Sequence, residues 1–307
     1  MNIPKPLFPG ARVALLAPAS AVPADRLQPA LDAVAALGLQ PVAYPSCFFA
    51  GRDGYLAATD AQRAADINEA FADPTIDGIL CIRGGYGAHR LLPLLDTETI
   101  RANPKYFAGY SDVTALLTYL NQCCDMECYH TIMPSTEYYQ PIDPFSMDWL
   151  TAALFGRLSG PAANPKGQPL TTLAGGQAEG PLCGGNLSLL AASLGTPWEI
   201  DTRGKILFLE DIGEKTYRVD AMLTQLRNAG KFDHCAGVLL GYWTDCPPEY
   251  PDRTLTLEEI FTQLILPAGK PVLMDFACGH GLPSVALPMG RRCRMDADAQ
   301  TITFCQP

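Results

Sequence analysis

The chain of 307 residues is acidic, with 32 Asp and Glu against 22 Lys and Arg and a formal net charge of −10. This balance, without a run of basic residues, makes nucleic acid and anionic membranes poor partners. No stretch approaches the roughly 18 apolar residues that span a bilayer, and eleven cysteines at irregular spacings argue against a disulfide-stapled secreted domain. We therefore expect a cytoplasmic globular protein.

The first half of the sequence alternates short apolar runs with segments of helical periodicity. The predicted strands are residues 13–17, 41–44, 76–82 and 106–108. Between them, apolar residues recur at helical spacing, and Thr59 with Gln62 forms a capping-box pattern. Short strands separated by helices predict a doubly wound parallel sheet that is covered on both faces and extends over residues 1–155.

The second half predicts a smaller mixed α/β domain. Strands are predicted at residues 205–209, 237–240, 271–276, 292–295 and 301–304, and helices at 186–194 and 216–228. A further helix is predicted to begin at the capping box of Thr256 and Glu259. Residues 156–180 are rich in Gly, Pro, Ala and Thr with weak periodicity, which indicates a connection between domains 1–155 and 181–307.

Ser111 is a candidate nucleophile because it follows a predicted strand and precedes a predicted helix, within Gly109-Tyr110-Ser111-Asp112. A serine on such a turn resembles a nucleophile elbow, although the second glycine of Gly-x-Ser-x-Gly is missing. The helix N-terminus behind it offers N–H groups to a developing oxyanion. The alternative from this motif alone is an ordinary serine N-cap.

A glycine-rich segment, residues 83–87, follows the predicted strand 76–82 at the carboxyl end of the sheet, where α/β folds bind ligands. It is not a dinucleotide fingerprint, since Arg90 stands where the third glycine belongs. Its backbone N–H groups are candidates for half of an oxyanion hole. A tight turn that needs positive φ is the alternative.

Glu210 and His280 each follow a predicted strand. Glu210 ends an apolar run, and His280 lies between two glycines just beyond strand 271–276. In isolation, a solvated strand end and an incidental loop histidine are the alternatives. Together with Ser111, however, they supply the nucleophile, acid and base of a hydrolytic triad in the chain order Ser, Glu, His.

Metal chemistry is the other common route to peptide hydrolysis. The chain has four histidines, and none belongs to a His-Glu-x-x-His or His-x-x-Glu motif; nor is there a Cys-x-x-Cys pair. We expect no catalytic metal.

Six blocks of this sequence, taken together and in order, resemble the LD-carboxypeptidase family of serine peptidases, also called muramoyltetrapeptide carboxypeptidases. They extend over almost the whole chain, and they are residues 83–88, 109–114, 184–187, 207–212, 222–226 and 279–280. The resemblance implies a flavodoxin-like or Rossmann-like N-terminal domain, a β-rich swivelling C-terminal domain and a homodimer. It also implies release of the terminal D-alanine from murein tetrapeptides during peptidoglycan recycling, without a metal or organic cofactor.

The resemblance assigns the nucleophile to Ser111, the acid to Glu210 and the base to His280. It implies that the oxyanion is bound by the backbone N–H groups of Asp112 and of a loop glycine, which we take as Gly85. Relatives often carry His-Gly-Pro after the nucleophile helix, whereas here His130 is followed by a different turn.

A cationic side chain near the glycine loop is expected to hold the free carboxylate of the terminal D-alanine, and Arg83 is the first candidate. A planar guanidinium grips a carboxylate bidentately, which would make the enzyme an exopeptidase. Arg83 could instead pair with a neighbouring acid, in which case Arg218 or backbone amides would hold the carboxylate.

Two other functions remain open at this level. One is a microcin C immunity-type peptidase that cleaves aminoacyl-adenylate analogues; that branch tends to carry an adenine-stacking aromatic before the Gly-Gly-Asn block. Residues 156–183 contain no Trp, Tyr or Phe, which favours the murein enzyme. The other is a noncatalytic α/β ligand-binding module, against which the complete triad argues.

Overall fold

The computed structural model describes residues 1–48, 55–248, 250 and 252–306. The chain divides into two compact units: unit 1 comprises residues 1–158 and 286–288, and unit 2 comprises 159–285 and 289–307. None of the helices in the described ranges combines the length and apolar character that crossing a bilayer requires.

Unit 1 is built on a six-stranded sheet with the order β12-β5-β4-β3-β1-β2. Its strands are β1 (Arg12–Leu16), β2 (Gln40–Ala43), β3 (Gly78–Cys81), β4 (Tyr106–Gly109), β5 (Cys128–His130) and β12 (Leu287–Met289). Its helices are α1 (Leu27–Ala36), α2 (Asp60–Ala72), α3 (Thr97–Ala102), α4 (Thr114–Cys124) and α5 (Pro144–Leu154). Strands β1 to β5 pair in parallel, so their carboxyl ends lie along one edge.

The strands of unit 1 are continuous apolar runs in the sequence because the core buries them on both faces. β3 and β4 are buried at every position, and β1 at all but its first, which is the pattern of a parallel sheet covered on both faces. Side chains of α1 and α5, such as Val34 and Leu150, pack into the same cluster as Val13 and Leu15. The predicted doubly wound fold class is confirmed.

Unit 2 contains an eight-stranded sheet with the order β6-β14-β13-β8-β9-β10-β11-β7. Its strands are β6 (Gly160–Ala162), β7 (Thr171–Ala174), β8 (Gln177–Asn186), β9 (Ile206–Ile212), β10 (Gly237–Thr244), β11 (Val272–Met274), β13 (Arg292–Asp296) and β14 (Thr301–Phe304). Its helices are α6 (Leu187–Ser193), α7 (Thr216–Asn228), α8 (Lys231–His234) and α9 (Leu257–Leu264). Strands β8 to β11 are parallel, while β13, β14, β6 and β7 are added antiparallel.

Residues 156–180, predicted as a connection, form β6, β7 and the first residues of β8 in the structure. Each short strand is stabilised by a partner distant in sequence, since β6 pairs with β14 and β7 with β11. Such pairing leaves little local signal in a segment rich in Gly, Pro and Thr, because strand propensity depends strongly on context.

The two predicted capping boxes have different outcomes. The Thr256 box at α9 is confirmed, with both reciprocal hydrogen bonds to Glu259 present. At α2, Thr59 accepts from the backbone N of Gln62 at 3.2 Å, but the Gln62 side chain donates to Asp66, one turn further on. An acceptor at i+4 therefore takes the amide that would complete the box.

Candidate active site

Ser111 lies on a sharp turn between β4 and α4. Its φ is +64°, a left-handed conformation that non-glycine residues adopt at a cost of about 1–3 kcal/mol. The 3-10 turn Ser111–Val113 leads directly into α4, so the serine stands at a helix start, where the first backbone N–H groups have no partner within the helix. The strain and the position both match a nucleophile elbow.

The glycine loop after β3 approaches the serine closely enough to require glycine. A β-carbon on Gly84 would lie 3.0 Å from the Ser111 Oγ and 2.9 Å from its Cβ. Gly85 has a φ of +119°, and a β-carbon there would lie 2.1 Å from the Oγ of Ser20. That hydroxyl accepts from the N of Tyr86 at 3.2 Å, so residues after β1 and β3 fix the loop together.

Asp112 connects the serine turn to the end of the glycine loop. Its buried carboxylate accepts a hydrogen bond from the N of Ala88 at 2.8 Å. Burial raises the pKa of Asp112, while hydrogen bonds from the backbone of Ala88 and Gly87 and the charge of Arg63 act in the opposite direction. The two segments that carry the predicted oxyanion donors are therefore tied to each other.

Arg63, which the sequence analysis missed, binds the end of the glycine loop. It is fully buried on α2, where it donates to the carbonyl oxygens of Gly87 at 3.1 Å and Ala58 at 3.2 Å and pairs with Asp60 at 2.5 Å. Its spacing could have predicted this burial, because Arg63 lies four residues before Ile67 and therefore on the apolar face of the helix. A buried arginine at such a position must find polar partners.

A single π-helical turn, Pro134–Tyr138, contacts both segments from another side. Glu137 accepts from the hydroxyl of Tyr110 at 2.6 Å and from the N of Met133 at 2.7 Å. Ser135 donates through N and Oγ to the carbonyl of Ile82, the residue before Arg83. One-turn π-helices are frequent at functional sites, and this one supports both the serine turn and the glycine loop.

His130, which precedes the turn that differs from the His-Gly-Pro of the family pattern, is buried, with its ring centroid 5.5 Å from that of Tyr110. It therefore packs beneath the residue that precedes the nucleophile.

Arg83 is partly exposed and makes no ion pair with a described residue. Its Nη1 donates to the carbonyl of Ala21 at 2.7 Å. Burial, followed by the charge of Arg26, lowers the pKa of Arg83. The alternative carboxylate binder, Arg218, is instead paired with Glu214 at 2.9 Å.

In unit 2 the structure brings Glu210 and His280 together. Glu210 lies near the carboxyl end of β9 with no exposed surface, and its Oε2 is 2.6 Å from the His280 Nδ1. The same oxygen accepts from the backbone N of His280 at 3.2 Å. Gly279, with a φ of +119°, permits this approach, because a β-carbon there would lie 2.7 Å from Oε2.

Asp211, the neighbour of Glu210, has a different set of partners. It accepts from Asn186 at 2.9 Å, from Ser188 through N at 2.9 Å and Oγ at 2.7 Å, and from the N of Ile212 at 2.8 Å. Burial raises its pKa, and these hydrogen bonds oppose that effect. Asp211 therefore anchors the start of α6 to the end of β9.

Several known proteins are similar to this chain. Residues 13–131 match the model of the LD-carboxypeptidase N-terminal domain, and residues 179–295 match that of the C-terminal domain. A probable murein peptide carboxypeptidase of Bacillus subtilis is 40% identical over 302 residues, which cover 97% of this chain and 92% of that protein.

Solved structures share the fold. The crystal structure of a muramoyltetrapeptide carboxypeptidase from Oxalobacter formigenes superposes with a TM-score of 0.81 at 28% identity, over 95% of this chain and 97% of that one. The microcin C7 self-immunity protein MccF, in complex with aspartyl sulfamoyl adenosine, gives a TM-score of 0.90 at 24% identity, over 100% and 99%. The MccF likeness shows the fold alone.

Proposed function

Since the chain belongs to the LD-carboxypeptidase family, we propose that it is a serine carboxypeptidase that releases the terminal D-alanine from murein tetrapeptides. The observation that carries the proposal is the buried Glu210, whose one oxygen binds both the backbone N and the Nδ1 of His280. A carboxylate in this position fixes the imidazole tautomer and stabilises its protonated form.

The proposed reaction has two halves. The Ser111 Oγ attacks the carbonyl carbon of the scissile bond, and its proton passes to the Nε2 of His280. The oxyanion accepts from the backbone N–H groups of Gly85 and Asp112. When the C–N bond breaks, His280 returns the proton to the departing D-alanine amine. Water then hydrolyses the acyl-enzyme with His280 again as base, which regenerates Ser111.

Arg83 is proposed to bind the free carboxylate of the terminal D-alanine. It follows β3 immediately before the glycine loop, and no described carboxylate pairs with it. We expect wild type to prefer a tetrapeptide to its C-terminal amide at least tenfold, and Arg83→Ala to lose that preference while Ser111 remains reactive. Equal preference in wild type and mutant would assign the carboxylate to another group.

The assembly and location are part of the proposal, as the resemblance implies a cytoplasmic homodimer. Light scattering of the purified chain tests the assembly, and a monomer at micromolar concentration contradicts it. Fractionation of the cells that make the protein tests the location.

The decisive experiment compares two substrates with products read by mass: a murein tetrapeptide and an aminoacyl-sulfamoyl adenosine. We expect loss of D-alanine from the tetrapeptide, abolished in Ser111→Ala, and labelling of wild type at Ser111 by an acylating serine reagent. Turnover of the adenosine compound alone favours the immunity-type peptidase, and turnover of neither favours a binding module. A label on another residue refutes the nucleophile assignment.

A further inference from the structure

The loop that carries His280 leaves β11 in a strained conformation. Asp275, the first residue after the strand, has a φ of +64°, in the left-handed region where non-glycine residues are uncommon. Such a conformation costs free energy and persists only where the surrounding contacts determine it. Ala277 lies just three residues before His280, so the contacts of residues 275–277 decide where the chain delivers the histidine.

Asn164 supplies two of these contacts with one side-chain amide. Its Nδ2 donates to the carbonyl of Asp275 at 2.6 Å, and its Oδ1 accepts from the N of Ala277 at 2.8 Å. A parallel strand binds its neighbour through the same two groups, the O of one residue and the N of the second residue after it. The amide therefore continues the sheet just beyond the last pair of β7 with β11, which joins Thr171 and Met274.

Thr171 binds the same strained residue from β7. Its Oγ1 donates to the Asp275 carboxylate at 2.6 Å. Thr171 and Asn164 both belong to residues 156–180, the segment that the sequence analysis took for a connection between domains. Two side chains of this segment thus fix the start of the histidine loop, one through the backbone of Asp275 and the other through its side chain.

Strand β10 holds the later part of the loop. The N of Tyr242 donates to the carbonyl of Cys278 at 2.9 Å, and the Oγ1 of Thr244 donates to that of His280 at 2.5 Å. Between these supports, the imidazole Nδ1 must meet the Glu210 Oε2 at 2.6 Å. A misplacement of about 1 Å by a change remote from the chemistry can cost about a hundredfold in rate.

We propose that Asn164 is a positioning residue for His280, which keeps the imidazole aligned with Glu210 by fixing residues 275–277. It acts through the backbone of the loop and takes no part in proton transfer. The role of Asn164 in turnover rests on the proposed function, in which His280 is the base. The alignment itself is a property of the protein without substrate, so it can be measured separately.

The test compares Asn164→Ala with a control that loses the same pair of hydrogen bonds elsewhere. Asn68, on α2, donates through Nδ2 to the carbonyl of Leu94 at 3.1 Å and accepts through Oδ1 from the N of Asp96 at 2.9 Å. Both asparagines are half-buried, and both clamp two residues that are two positions apart. Asn68→Ala therefore reproduces the loss of contacts without touching the histidine loop.

The first measurement is proton NMR of the free protein in the cold. A carboxylate only accepts hydrogen bonds, so the proton between Glu210 and His280 belongs to Nδ1, and in so short a bond it should resonate far downfield of the backbone amides. The signal is assigned by its loss in His280→Gln. We expect it to move upfield or broaden beyond detection in Asn164→Ala and to stay in place in Asn68→Ala.

The second measurement is release of D-alanine from a murein tetrapeptide. We expect Asn164→Ala to lower kcat by about ten- to a hundredfold while KM stays within about twofold, because substrate binding is left intact. Asn68→Ala should keep the wild-type kcat. A purely structural role for Asn164 would instead give the two variants equal kcat values at a temperature where both are folded.

Both changes must appear in Asn164→Ala and neither in Asn68→Ala, and any other combination overturns the positioning role. A wild type that shows the downfield signal but cleaves no tetrapeptide refutes the proposed function, and the signal alone then decides whether Asn164 aligns His280. If Asn164→Ala does not fold, Asn164→Leu fills nearly the same volume without either hydrogen bond. A wild-type signal in that variant also overturns the assignment.

Discussion

Replacement of Glu210 by Gln tests whether this residue serves catalysis or folding. Glu210 has no exposed surface, and its Oε2 accepts both hydrogen bonds from His280, at 2.6 and 3.2 Å. A glutamine oxygen at the same place keeps both bonds. Its amide group then replaces Oε1, which has no hydrogen-bond partner among the described residues. The substitution therefore preserves geometry while it removes the charge.

We expect the substitution to change the free energy of unfolding little and the rate greatly. Two hydrogen bonds to a charged acceptor become neutral ones, a loss of about 1 kcal/mol each. The new amide NH₂ takes the place of Oε1, finds no acceptor among the described residues and costs about 1–3 kcal/mol more. Against these losses, an effective penalty of several kcal/mol for a buried ion is relieved. We therefore expect the free energy of unfolding to fall by no more than about 2 kcal/mol, or to rise. The rate should fall by roughly three to four orders of magnitude, as when a triad carboxylate becomes an amide in serine proteases.

Asp211→Asn is the matched control, since it makes the same chemical change one residue away. The Asp211 oxygens accept from four donors, on Asn186, Ser188 and Ile212. An amide NH₂ must face two of them, which leaves buried donors unsatisfied at about 1–3 kcal/mol each. Urea unfolding with single-turnover D-alanine release measures both effects. A Glu210→Gln protein that is less stable than Asp211→Asn, yet turns over normally, would refute the reasoning.

Two further substitutions test how each half of the site is positioned. Gly279→Ala places a β-carbon 2.7 Å from the Glu210 Oε2 at a φ of +119°, whereas Gly176→Ala, at +113°, finds its nearest atom 3.3 Å away. Both should lose about 1–3 kcal/mol of stability from the backbone, but only Gly279→Ala should lower kcat at least tenfold; equal kcat values would exclude a positioning role. Tyr110→Phe removes the 2.6 Å hydrogen bond to Glu137 and should lower the free energy of unfolding by about 1.5–3 kcal/mol. An unchanged urea midpoint contradicts that expectation.

Local signals made much of the fold predictable. Residues 216–228 were predicted as a helix from periodicity, and α7 has those bounds. The strand predicted at 13–17 is β1, shifted by one residue. The capping box of Thr256 and Glu259 is specified by residues three positions apart. In each case the interactions that set the element lie within it, so the sequence pattern is sufficient.

The supports of the site were not predictable in the same way, because their partners are distant in sequence. Glu137 is 27 residues from Tyr110, and Ser135 is 53 residues from Ile82. Strand β8 was also missed altogether: its residues 177–181 have no strong apolar alternation and pair with β13, more than 100 residues away. Only the folded sheet brings these residues together.

The adjacent acids Glu210 and Asp211 show where sequence reasoning reaches its limit. Successive side chains of a strand point to opposite faces, but β9 is buried on both faces, so hydropathy does not reveal which acid faces which neighbour. The hydrogen-bond partners distinguish the two acids. Glu210 contacts a histidine, whose protonated form a carboxylate stabilises. Asp211 contacts an amide, a hydroxyl and backbone N–H groups, which do not change charge near neutral pH. Of the two carboxylates, therefore, only Glu210 can respond to a proton that arrives on its partner during a reaction.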